Sequence, residues 1–264
     1  MHIVVCIKHI PDPDAPWVQF SIDARALAVV ALPGVRWLVS PFDEQALEAA
    51  LQLRETLGEV RITVLTVGAE SCRAALKHGL AMGADDGLLL CDPAFDAGDA
   101  WTTAVAISAA VRKLGAPALV LTGRQAADWD SGVVGGAIGE LLDWPVISFA
   151  AQVGVFADEL RVQRVVEDGI DTVHSSLPAV VTVSNELGKA RSPNLRETMR
   201  AARKPTTVWS AFDLGLHAAQ IAPRSVRENV FAPSRQQQCE FIAGATAGEQ
   251  AAGLAERLRA AKLI

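Results

Sequence analysis

The sequence has no closely spaced cysteines. The four it contains, Cys6, Cys72, Cys91 and Cys239, lie far apart and form no C-x-x-C pair. A disulfide framework is therefore not indicated, and a reducing compartment is the natural expectation. Cys6 and Cys91 fall inside apolar runs, where a thiol serves as a small buried side chain. The histidines, His2, His9, His78, His174 and His217, are scattered with no pair at helical ligand spacing, so no metal site is expected. The G-x-S-x-G, G-x-G-x-x-G and G-x-x-x-x-G-K-[ST] motifs are all missing, and with no catalytic residue proposed by spacing, binding is favoured over catalysis. No apolar stretch approaches bilayer length. The opening M-H-I-V-V-C-I-K-H-I-P runs straight into a strand-like segment without the layout of a signal peptide. A soluble, cytoplasmic protein with no membrane insertion is expected. Positive charge is also short: the net charge of -6 gives no general affinity for nucleic acid or anionic membranes, so any basic site must be local.

What is present is an alternation. The 264 residues are half apolar and 20% charged, ordinary for a globular chain. Ile3–Ile10 is a β-branched run, and Ser40-Pro41-Phe42-Asp43 opens a helix, with Ser40 as cap and Asp43 and Glu44 at its positive end. Strands are expected at Ile62–Val67, Leu88–Cys91 and Ala118–Leu121, and helices at about Glu70–Met82, closed by Gly83, and at Asp99–Leu114, closed by Gly115. Strands that are nearly all apolar belong in a sheet covered on both faces. The fold class is α/β: a doubly wound, mostly parallel, Rossmann-like sheet. Val146–Val153, Leu160–Val166 and Ala179–Val183 lie close together, with Asp158, Asp168 and Gly169 as turn residues, and are expected as antiparallel strands added at an edge. Gly188–Lys204 reads as a basic loop, and Trp209 to about Gln238 as an extended arm. Gly248–Lys262 reads as an amphipathic terminal helix. This organisation divides the chain into an α/β domain, 1–208, and a C-terminal arm and helix, 209–264.

The most informative segment is L-T-G-R-Q-A-A-D-W-D-S-G-V-V-G-G-A-I-G-E-L-L, Leu121–Leu142. A strand ends near Gly123, a polar loop follows, and a helix is expected from Ser131, capped by Asp130 or Ser131. Gly132, Gly135 and Gly136 leave its first turn bare, so a ligand can approach the N–H groups. A helix N-terminus at the carboxyl end of a parallel strand is where a phosphate sits. Asp128 and Asp130 are expected to cap the helix or accept from ribose hydroxyls, and Trp129 to stack on a ligand ring or plug the cleft. Glycine that merely allows close packing explains the same pattern, and spacing alone leaves the two readings open.

Leu195 is an isolated apolar residue in G-K-A-R-S-P-N-L-R-E-T-M-R-A-A-R-K-P, among Arg191, Arg196, Arg200, Arg203 and Lys204. An apolar knob ringed by charge suits brief docking, since burying one leucine supplies only about 1.5–3 kcal/mol while charges guide encounter. The competing reading has Leu195 and Met199 packed on the body and the arginines solvated.

These segments together resemble the electron-transfer flavoprotein β family across nearly the whole chain. The agreeing pieces are V-V-C-I-K-H-I-P-D, P-F-D-E-Q-A-L-E-A-A-L-Q-L, G-L-A-M-G-A-D, L-T-G-R-Q-A-A-D, L-D-W-P, V-Q-R-V-V-E-D-G-I-D-T-V and L-P-A-V-V-T. The resemblance implies a non-enzymatic electron-carrier subunit. Its partner would be an α subunit holding the redox-active FAD, with residues 209–264 packed on that subunit. It implies a structural AMP in this chain, or in the bifurcating branch a second, redox-active FAD. Positions matching the nucleotide site are Cys6, Ser40, Pro41, Phe42, Asp43, Val67, Gly123, Arg124, Gln125, Ala126, Asp128, Trp129, Asp130, Ser131, Gly132, Val133 and Val134. Leu195 matches the anchor of a recognition loop, 189–204, with Arg191, Met199 and Arg200 beside it. The resemblance implies that this loop docks acyl-CoA or other flavin dehydrogenases, with electrons passing on to a quinone-linked oxidoreductase. Gly132-Val133-Val134 and Trp129 depart from the usual pattern, leaving main-chain N–H groups to hold a phosphate. Val134 leans towards the FAD-binding branch and Trp129 away from it. Arg164-Val165-Val166-Glu167-Asp168-Gly169 lacks one glycine of the family signature. A stand-alone adenine-nucleotide sensor or hydrolase is the alternative outside the family.

Overall fold

The computed structural model describes residues 1–96, 98–115, 117–157, 159–232 and 239–264. Asp158, expected in a turn, and residues 233–238 of the expected arm lie outside the described residues. The chain forms two units, Met1–Glu228 and Asn229–Ile264.

The first unit starts with β1 (His2–Cys6), followed by β2 (His9–Pro11), β3 (Phe20–Asp23), β4 (Ala28–Ala31) and β5 (Trp37–Val39). β2 pairs with β5 and β3 with β4, as two small antiparallel ladders. The α/β alternation then runs α1 (Pro41–Leu57), β6 (Arg61–Val67), α2 (Arg73–Met82), β7 (Asp86–Leu90), a short α3 (Pro93–Asp96), α4 (Ala100–Lys113), β8 (Leu119–Gly123) and α5 (Val134–Leu142). After it come β9 (Val146–Phe156), β10 (Glu159–Val166), β11 (Gly169–Ser176), β12 (Ala179–Val183), α6 (Leu195–Ala201), β13 (Thr206–Trp209) and α7 (Ala218–Ile221).

Nine of these strands form one sheet in the order β11-β10-β9-β12-β8-β1-β6-β7-β13. All neighbours pair in parallel except β9 with β10 and β10 with β11. Alternate residues of β1 feed opposite cores. Ile3 and Val5 pack with Leu47 and Leu51 of α1 and Leu76 and Leu80 of α2, whereas Val4 and Cys6 pack with Ile107 and Val111 of α4 and Ile138 of α5. This is the double winding that continuous apolar strands predict. α4 begins where Asp99 and Thr102 form a reciprocal capping box, which fixes its first turn at the sheet's carboxyl edge.

Four expectations change. Ala179–Val183 is not an antiparallel edge strand: β12 is fully buried and parallel to both β8 and β9, because the chain returns from the β10–β11 excursion into an interior slot. Gly188–Lys204 is not all loop, since Asn194 and Glu197 form a capping box that starts α6. The segment after Trp209 stays with the first unit through residue 228, tied by the hydroxyl of Thr102 to the Ile221 carbonyl at 2.7 Å. The helix expected at Ser131 begins only at Val134.

In the second unit, α8 (Ala247–Ala260) is capped by Thr246, whose hydroxyl accepts from the Glu249 N–H at 3.2 Å. Arg257 pairs with Glu240, and α8 buries none of its residues. Among the described residues no helix is long and apolar enough to cross a membrane.

Candidate functional site

The carboxyl ends of β6, β1 and β8 lie side by side and bring Val67, Cys6 and Gly123 to one edge, where α1 begins. Ser40 occupies the N-cap position of α1, but its side chain does not cap. Its Oγ instead accepts from the Ala127 N–H at 3.3 Å and so ties the α1 start to the loop after β8. Asp43 likewise turns away from the helix end. Its buried carboxylate accepts from the N–H of Lys8 at 2.8 Å and of Gly123 at 2.9 Å, joining three segments. Burial pushes the Asp43 carboxyl up to about 7, against those two hydrogen bonds and the Lys8 charge, and the Asp128 charge acts with burial. Only glycine fits at 123: a Cβ there would stand 2.6 Å from Asp43 Oδ1 and 2.8 Å from the Phe42 carbonyl carbon. Cys6 is buried beneath this edge, and burial followed by the Asp43 charge pushes its thiol up, so it is a wall and not a thiolate.

The loop from Arg124 to Val133 closes over this edge. Lys8 Nζ pairs with Asp128 at 2.6 Å, and Asp128 Oδ1 also accepts from its neighbour Trp129 N–H at 3.0 Å. Gln125 Nε2 donates to Asp130 Oδ1 at 2.8 Å. Neither Asp130 nor Ser131 caps α5, and neither does Asp128. The residue at the N-cap is Val133, without a side-chain bond, because Asp130 (φ 51°) and Gly132 (φ 62°) turn the chain first. As a result the N–H groups of Ser131 to Gly136 make no hydrogen bond among the described residues. Gly135 seats this bare turn on the sheet, where a Cβ would lie 2.5 Å from Thr182 Cγ2. The arrangement is a donor-rich, positively polarised helix start at the end of a parallel strand, suited to an anion. The Arg124 guanidinium lies 4.8 Å from the Phe42 ring centroid, with its buried Nε unpartnered. Trp129 is half exposed, with Arg227 on its ring.

The expected docking residues lie elsewhere, on α6 and its lead-in. Leu195 is 78% exposed and Met199 68%, and Arg200 is exposed in the last turn, while Ala201 is buried. Arg191 is not a free surface cation. It donates to Glu48 through Nε at 2.7 Å and Nη2 at 2.8 Å, and to Glu55 at 2.7 Å. Glu48 is buried, and although burial opposes ionisation, the Arg191 bonds hold its carboxyl below the usual range. Gln45 Nε2 adds a bond to the Gly188 carbonyl at 3.3 Å. One helix, α1, thus touches the loop after β8 at its start and the root of the exposed leucine segment along its side.

A family model described as an electron transfer flavoprotein domain matches residues 28–214. The electron transfer flavoprotein subunit beta of Megasphaera elsdenii is 34% identical over 246 residues, covering 89% of each chain. The chain belongs to the electron-transfer flavoprotein β-subunit family. The similarity extends to the caffeyl-CoA reductase-Etf complex subunit CarD of Acetobacterium woodii, 32% identical over 268 positions and 100% of both chains. Protein FixA of Azorhizobium caulinodans is 35% identical over 246 residues, covering 89% of this chain and 85% of its own. Within this β-type chain, two residues of the crevice were not singled out from the sequence: Lys8, which stands in the quoted opening motif, and Arg227, whose partners are remote in sequence and leave no local signal.

Proposed function

We propose that this chain is the β subunit of a heterodimeric electron-transfer flavoprotein that holds AMP in the crevice between α1 and the loop 123–134. The observation that carries this reading is the row of unbonded N–H groups from Ser131 to Gly136, at the positive end of α5 and the carboxyl end of β8. In AMP they would hold the phosphate, with Ser40–Asp43, Val67 and Cys6 walling the nucleoside. The redox chemistry would be supplied by FAD in the α subunit, and this chain would orient that partner and exclude water. The second unit would pack on the α subunit, as its exposed Phe231, Phe241, Leu263 and Ile264 support. Leu195, Met199 and Arg200 would dock a flavin dehydrogenase in the cytoplasm, with a quinone-linked oxidoreductase as acceptor. The naming of one relative as a subunit of a caffeyl-CoA reductase complex supports an oxidoreductase of CoA thioesters as a partner.

A second reading, FAD in the same crevice and a bifurcating role, rests on Val134, which in the resemblance leans towards that branch, whereas Trp129 leans away from it. Co-expression with the α subunit, denaturation of the purified complex and chromatography of the released nucleotides separate the two. One FAD and one AMP per heterodimer is expected. Two FAD would overturn the AMP reading, and one FAD alone would overturn nucleotide binding by this chain.

A further inference from the structure

A cleft of about 480 Å³ lies outside the nucleotide crevice, between α4, the end of α5 and the α7 segment, within the volume range of small-ligand sites. Its polar groups are of one kind. Arg224 stands over Trp101, its guanidinium carbon 3.3 Å from the ring centroid, and its side-chain donors make no hydrogen bond among the described residues. Across the cleft Arg112 donates to the Leu141 carbonyl, which leaves other N–H donors of its fork open. Gln220 contributes an amide whose carbonyl is already taken by the His217 N–H at 2.9 Å, so its free end donates. Ser108, on the α4 wall, is 1% exposed and its hydroxyl has no hydrogen-bond partner. No acidic residue lines the cleft among the described residues.

Two guanidinium groups facing one space without a carboxylate repel each other. That repulsion is relieved by one anion. The remaining wall is aromatic and aliphatic, so a compact hydrated anion would leave most of it uncovered. We propose that this cleft is a second ligand site, which takes a monoanion with a flat apolar body, a carboxylate or sulfonate on an aromatic or short acyl group. The anionic head meets Arg224 and Arg112, and the body lies against Trp101 and Leu141. Arg224 is held in place independently of any ligand, because its own N–H donates to Asp99 Oδ2 at 2.8 Å.

The test titrates the purified heterodimer with 1-anilinonaphthalene-8-sulfonate and follows probe fluorescence. Saturable binding is expected, weakened at least tenfold by Arg224→Gln, which removes the charge, and by Ala109→Phe, which fills the cleft. Neither change should alter the nucleotides released on denaturation. Affinity within twofold of wild type in either variant that keeps the wild-type circular dichroism would overturn the proposal. Binding by the isolated chain that disappears in the heterodimer would also overturn it, since the cleft would then belong to the subunit interface.

Discussion

The guanidinium of Arg227 lies 5.0 Å from the centre of the Trp129 ring and donates through Nη1 to the Leu27 carbonyl at 2.6 Å. A residue late in the first unit thereby holds the tip of the loop after β8. A cation–π contact at an exposed site contributes about 0.5–1 kcal/mol. Arg227→Gln should therefore speed amide exchange in residues 125–133 several-fold while leaving α4 unchanged, as hydrogen-exchange mass spectrometry can measure. Unchanged exchange in that loop would remove the clasp from the account.

Gly123→Ala tests the close approach beneath the loop. Its Cβ meets backbone at Phe42 as well as the Asp43 carboxylate, so rotamer change cannot relieve the clash. Overpacking of this kind costs about 1–3 kcal/mol, which in a unit of this size lowers Tm by several degrees. Gly136→Ala is the control: nothing lies within 4 Å of its added Cβ, and thermal unfolding should be little changed.

Asp43 gives a pH signature. Its folded-state carboxyl is raised from 3.8 to about 7, so between those values the folded chain binds more protons than the unfolded one. Its contribution is fully present below the ordinary carboxyl value and is lost as pH rises through about 7. The urea-unfolding curves of wild type and Asp43→Asn should therefore show a stability difference that changes steadily from pH 4 to 7 and levels off above it. A difference independent of pH would show that Asp43 is ionised throughout.

The Glu48–Arg191 pair should matter to the loop more than to the fold. Arg191 is 39% exposed, so the loss in Glu48→Ala is modest, about 1–2 kcal/mol. Exchange of residues 188–194 should rise, and the double exchange Glu48→Arg with Arg191→Glu should restore part of the protection. If Glu48→Ala leaves these amides as protected as before, the pair does not anchor the segment.

Leu195→Ala separates docking from stability. With 78% of Leu195 exposed, unfolding should shift by no more than about 0.5 kcal/mol. Affinity for an acyl-CoA dehydrogenase that reduces the wild-type heterodimer should fall about tenfold, since a buried leucine is worth at least about 1.5 kcal/mol. Equal affinities by surface plasmon resonance would remove Leu195 from the docking surface.

The parts legible in the sequence were those in which neighbouring residues carry the pattern. β6 and β8 announce themselves as apolar runs, and α4 as the helical segment from Asp99 to Leu114 closed by Gly115. The Asn194-x-x-Glu197 box was equally visible, but the basic composition around it read as loop. β12 was misplaced because its pairing with β8 and β9 depends on where the chain returns after β10 and β11, and short-range spacing cannot encode that. The start of α5 moved by three residues because the positive φ angles at Asp130 and Gly132 are set by the loop's contacts with Lys8 and Gln125. Cys6, Val67 and Gly123 fall at one edge because their strands are adjacent and parallel, whereas the clasp from Arg227 joins residues remote in sequence.

The edge position of β13 bears on how the chain can be trimmed. Thr206–Trp209 covers β7, whose partner on the other side is β6. A fragment ending at residue 205 would present the unpaired backbone of Gly87–Leu90 to solvent, an apolar template for chain-to-chain aggregation. Four residues act as the selvedge of the sheet, and a shortened version stays soluble only if it keeps them.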